Sequence, residues 1–124
     1  MTRYLISFND GAMDHIPGED LPDVGKAAHA ACQEAVDAGV WVFGGGLNRQ
    51  RASVVATDGM VTDGPYPETK EVIGGFVVVD VASREEALAW ATKIAVACRC
   101  AQEVREIMAD PEMDAMLHQA ESRR

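Results

Sequence analysis

Between Val61 and Val81 the chain reads VTDGPYPETKEVIGGFVVVDV, so that a turn, a charged loop and the most strand-like run in the sequence follow one another without a gap. Asp63-Gly64-Pro65 is a turn tripeptide: glycine tolerates positive φ, and proline presets φ while offering no backbone donor, so strand pairing before it should stop there. Glu68-Thr69-Lys70-Glu71 is too charged for a core. Gly74-Gly75 then opens Phe76-Val77-Val78-Val79-Asp80-Val81, five of whose six residues are apolar, as in a central strand covered on both faces. Ser83 follows with Glu86 three residues on, the capping box that starts a helix.

The rest of the chain falls into place around that strand. Arg3 to Phe8 alternates, with Tyr4, Ile6 and Phe8 on one face, and is expected to be the first strand. Asn9 to Asp20 contains Gly11, Pro17 and Gly18 among acids and reads as a loop, a candidate rim for a pocket. Asp20 is a candidate N-cap with Pro22 in the first turn, and Val24, Ala28, Ala31 and Ala35 recur at helical spacing, so a helix is expected over about 21–38. Val40 to Phe43 is a second strand that Gly44-Gly45-Gly46 should end, either as a bend or bulge or as a place where a ligand approaches the backbone. No phosphate-loop pattern accompanies these glycines. Residues 53–57 and 60–62 read as a hairpin with a two-residue Asp58-Gly59 turn, residues 84–97 as a second helix, and residues 102–108 as a last strand. Asp110-Pro111 opens a third helix with Met113, Met116, Leu117 and Ala120 along one side. One domain over 1–108 and an amphipathic helical tail over 109–124 are therefore expected.

The segment VTDGPYPETKE resembles the signature of the DGPF branch of the YCII-related family, close to TDGPFAETKE followed by Gly-Gly and an apolar strand, with Tyr66 and Pro67 in place of Phe and Ala. Element order extends the resemblance from Arg3 to about Met108. It implies an α+β, ferredoxin-like β-α-β-β-α-β sheet with helices on one face, closed into a dimeric α/β barrel. The order of elements in this chain agrees, with one short strand added. Because Val77, Val79 and Val81 alternate with apolar Phe76 and Val78, a second copy of the sheet is the expected cover for the face without helices, and Val79 marks the face whose loss should break a homodimer.

Charge bounds the partners. Twenty acidic residues against eleven basic give a net charge of −9, which repels phosphate backbones and anionic membranes, so no nucleic-acid or membrane partner is expected. The start, MTRYLISF, has neither a long apolar core nor a small-residue cleavage site, and no apolar run nears the length of a bilayer span, so a cytoplasmic protein is expected. Cys32, Cys98 and Cys100 lack zinc-ligand or C-x-x-C spacing and read as small buried hydrophobes. No metal site and no cofactor are expected.

Candidate chemistry rests on few residues. His29, at the border between the apolar and polar sides of the first helix, is either a solvated helix residue or a proton-transfer group if a pocket reaches it. The wider family places a histidine on this helix and pairs it with an aspartate. Counted back from Gly39, His29 stands one residue out of that register, and Asn48 is the nearest polar residue to the end of the second strand, so the dyad is not carried over. His15, in the loop, is a weaker candidate, and His118 in the tail is expected to be surface. Asp63 and Lys70 are the other catalytic candidates, as a base and as a holder of a substrate anion, against the structural alternative that Asp63 closes the turn and Lys70 pairs with a neighbouring acid. Gly45, Tyr66 and Glu68 are candidate ligand contacts, Tyr66 with ring packing as its alternative.

Two function classes follow. The resemblance, together with dimeric barrels of similar architecture among isomerases, lyases and dehydrochlorinases, implies a metal-independent acid/base enzyme acting on a small molecule. The alternative is a non-catalytic dimer that binds a small ligand or a protein, in transcriptional control, since family members occur near or fused to sigma-factor-like proteins.

Overall fold

A computed structural model of the chain describes residues 1–48, 52–65 and 72–123. In order it forms β1 (Thr2–Asn9), α1 (Leu21–Asp37), β2 (Trp41–Gly46), β3 (Ser53–Val55), β4 (Val61–Asp63), β5 (Ile73–Val81), α2 (Arg84–Cys98), β6 (Glu103–Glu106) and α3 (Pro111–Ser122), with a single 3-10 turn at Gly18–Asp20. It is a mixed α+β protein. One four-stranded sheet has the order β2-β5-β1-β6 and is antiparallel throughout, while among the described residues β3 and β4 pair only with each other. No helix among the described residues is long and apolar enough to cross a membrane.

The apolar run of β5 lies inside the sheet, paired to β1 on one side and β2 on the other. The register sets Val77 against Ile6 and Val79 against Tyr4, and these residues pack with Val81 under Ala87, Ala91, Ile94 and Cys98 of α2. From α1, Val24, Ala31 and Ala35 are buried. Val79 therefore belongs to the helix-covered core and does not mark the other face, contrary to the expectation from the sequence. Both alternating sets of β5 are apolar, so only strand pairing and helix placement decide which set the helices take. The opposite face carries Leu5, Phe76 and Val78, together with Phe43, which is 63% exposed and has its ring 6.0 Å from that of Phe76.

Local signals set most element ends. The Glu86 N–H donates to Ser83 Oγ at 3.2 Å, and the Ala82 N–H donates to Glu86 Oε2 at 3.2 Å, so the capping box forms with its return bond one residue before the cap. Replacing Ser83 with Ala is expected to lower stability by about 0.5–2 kcal/mol, read as a shift in urea midpoint with unchanged slope. Asp20 does not cap α1 with its side chain; its Oδ2 instead accepts from Arg99 Nη1 at 3.0 Å. Asp110 does cap α3, accepting from the Met113 N–H at 3.1 Å. Yet α3 buries none of its residues, and its apolar Met113, Met116 and Leu117 remain exposed.

Two strand ends differ from expectation. The hairpin loop has three residues rather than two: Ala56 N–H donates to Met60 O, and Thr57-Asp58-Gly59 turn between them with Gly59 at φ +90°. Asp58 Oδ1 accepts the Met60 N–H at 2.9 Å, which settles the wider turn. The second strand does not stop at Phe43. A bulge between Trp41 and Phe43 shifts the register, and the chain continues in pairing with β5 through all three glycines. Close approach makes this possible, because a Cβ at Gly44 would lie 2.6 Å from Phe76 O and 2.9 Å from Val77 Cα.

Candidate functional site

A cavity of about 460 Å³ opens between α1 and the sheet. On α1, Leu21, Gly25, Ala28, His29 and Cys32 recur at helical spacing and form one wall, next to the stripe that enters the core. The sheet forms the floor. Ile6 and Phe8 of β1, Trp41 and Gly44 to Gly46 of β2, and Phe76 and Val77 of β5 all line it. Ile94 and Cys98 of α2 close one end, and Met13 from the loop after β1 and Gln102 before β6 complete the rim.

The lining is largely apolar. Among its described residues there is no Asp, Glu, Lys or Arg, and His29 is the one imidazole. Burial pushes the Cys98 thiol up to about 11, with Cys100 and Cys32 adding to the shift, and burial also raises Cys32. Both thiols in the wall are therefore neutral at physiological pH and behave as apolar surface. Gln102 spends its side-chain nitrogen on Cys100, donating to the carbonyl oxygen at 3.4 Å and to the sulfur at 3.5 Å. Among the described residues no three His, Cys, Asp or Glu side chains come together as metal ligands.

The candidates named from the sequence divide by place. His29 and Gly45 both line the cavity, reached from α1 and from β2. Asp63 is exposed at the end of β4, paired across to Ser53 in the separate hairpin, and is not part of the lining. Tyr66, Glu68 and Lys70 lie outside the described residues. His15 borders a smaller depression with Asn9, Cys100 and Glu103, and His118 is exposed on α3. Reasoning from the sequence missed Leu21, Gly25 and Cys32, although their spacing with His29 carries the signal. It also missed Phe8, Trp41 and Gln102, which reach the same space only through strand pairing.

Comparison with known proteins adds a family. The model of the YCII-related domain matches residues 20–111, a span that contains the α1, β2, β5 and α2 walls of the cavity. No curated protein gives a significant match. Among solved structures, the 5-chloro-2-hydroxyhydroquinone dehydrochlorinase TftG from Burkholderia phenoliruptrix AC1100, in complex with 2,5-dihydroxybenzoquinone, is similar at 13% identity and a TM-score of 0.45, over 89% of this chain and 97% of that one.

Proposed function

The chain belongs to the YCII-related family, and from that premise we propose that it is a small acid/base enzyme of isomerase or lyase type, in which His29 moves a proton on a molecule held between α1 and the sheet. The observation that carries this reading is the position of His29, an exposed residue whose imidazole lines the cavity and is a kind of group that can transfer protons.

In the same reading the sheet is ferredoxin-like, β2-β5-β1-β6 with the β3–β4 hairpin inserted before β5. A second copy covers the face of Phe43, Phe76 and Val78 to give a dimeric α/β barrel in the cytoplasm, and Asp63-Gly64-Pro65 assigns the chain to the DGPF branch. Asp63, Lys70, Tyr66 and Glu68 then belong to a signature loop separate from the proton transfer at His29, with Asp63 closing its turn.

A second reading is favoured by one observation: among the described residues no carboxylate lines the cavity to orient or charge-balance His29. In that reading the protein binds a small ligand without turnover, and the dimer acts in sigma-factor-linked transcriptional control. Incubation of the purified protein with a metabolite pool, followed by thermal shift and by chromatographic separation with mass spectrometry, separates the two. The enzyme reading expects a stabilising compound that is also converted, seen as a new mass for a lyase or a new retention time at the same mass for an isomerase, with the conversion slowed at least 10²-fold in His29→Gln while the thermal shift stays. Stabilisation of the wild type by a compound that changes neither in mass nor in chromatographic retention would leave only the binder.

A further inference from the structure

We propose that this cavity takes an uncharged, largely apolar molecule, and that Gly25 and Gly46 set the size of what it admits. The inference rests on the reading of the cavity as the ligand site, and adds the chemical class of the ligand.

Charge is the first ground. An anionic ligand entering this space would leave water for a lining without Lys or Arg among the described residues, and a cationic one for a lining without Asp or Glu. Among the described residues either ion would find no oppositely charged carboxylate, ammonium or guanidinium in the lining, and a charge that gives up water without such a partner is disfavoured. The net charge of −9 further opposes anions at a distance. A neutral molecule faces neither cost, and Trp41, Phe8 and Met13 offer it contact surface.

The glycines are the second, independent ground. Most described glycines have a local reason: positive φ at Gly11, Gly39 and Gly59, or a close neighbour at Gly44, Gly64, Gly74 and Gly75. Gly18, Gly25, Gly45 and Gly46 have neither, since a Cβ on any of them meets nothing within 4 Å. Gly25 and Gly46 line the cavity, and so does the backbone of Gly45, whose pairing with Phe76 gives its side-chain position to the opposite face. Gly25 is the most telling, because it sits inside α1, where glycine weakens a helix relative to alanine and no contact requires it. Its missing side chain is explained by the space it leaves open.

A matched pair of dyes tests both parts. N-phenyl-1-naphthylamine is neutral, 1-anilinonaphthalene-8-sulfonate adds one negative charge to the same frame, and both brighten on leaving water. Titrations at about 1 M NaCl, where charges are screened beyond about 3 Å, remove the long-range repulsion. The expected result is saturable binding of the neutral dye at one per chain, with the sulfonate at least tenfold weaker. In Gly25→Leu the neutral dye is expected to bind at least tenfold more weakly while the melting temperature holds or rises. Equal binding of the two dyes would overturn the ligand class and leave the cavity as a ligand site. Unchanged dye affinity in Gly25→Leu would overturn the role of the glycines, and no binding of either dye to the wild type would overturn the whole inference. Loss of the proposed turnover by itself, with dye binding intact, would count against His29 and not against this inference.

Discussion

Val79→Asp is expected to abolish the folded protein, whereas Val78→Asp, one residue away on the same strand, is expected to leave it folded. Val79 has no exposed surface and sits between Tyr4 and Trp41 in the register of the sheet, beneath α2. A carboxylate there loses its water and finds no partner, which costs about 3–5 kcal/mol, on top of the lost valine packing. That is comparable to the whole stability of a small domain, about 5–15 kcal/mol. Val78 faces the other way, beside Leu5 and Phe43. An Asp at 78 keeps access to water, so its cost in the isolated chain stays near or below about 1 kcal/mol, and its main effect falls on the proposed dimer. Circular dichroism with urea titration reads the first difference, and light scattering reads the second. A cooperative urea transition in Val79→Asp near that of the wild type would contradict the assignment of the helix-covered face.

Adjacent glycines of β2 should also separate sharply. In Gly44→Ala the new methyl meets backbone, at 2.6 Å from Phe76 O and 2.9 Å from Val77 Cα, so β2 must move away from β5. Overpacking of this kind costs about 1–3 kcal/mol. Gly45→Ala meets nothing within 4 Å and is expected to stay within about 0.5 kcal/mol of the wild type. Urea midpoints of the two variants give the comparison, and equal midpoints would show that the close approach of the two strands does not constrain this position.

What could be read from the sequence depended on how local its cause was. Ser83 and Glu86 announce the start of α2 because the groups that bond are within four residues of one another. The run from Phe76 to Val81 announces a strand because its own composition is enough. Which of its faces meets the helices was not legible, since Phe76 and Val78 are as apolar as Val77 and Val79, and the answer lies in partners far along the chain. The end of β2 was hidden for a similar reason: glycines usually interrupt a strand, but here Gly44 lets the backbone of β5 come close enough for pairing to continue. The candidate site was half visible. His29 and Gly45 could be named from the sequence, and Leu21, Gly25 and Cys32 share the spacing of His29 on α1. Phe8, Trp41 and Gln102 join them only through the strand order β2-β5-β1-β6, which no local pattern contains.

Proton transfer at His29 is the central claim, and exchange with heavy water reads it whatever the substrate is. The wild-type protein and His29→Gln are incubated with a metabolite pool in D2O, and each compound is followed by mass spectrometry for enzyme-dependent deuterium uptake. Acid/base chemistry at a carbon centre predicts at least one compound that gains deuterium with the wild type, and loss of that gain in His29→Gln at an unchanged melting temperature. Uptake at the same rate in both proteins, or none in either from a compound shown to bind the cavity, would contradict it.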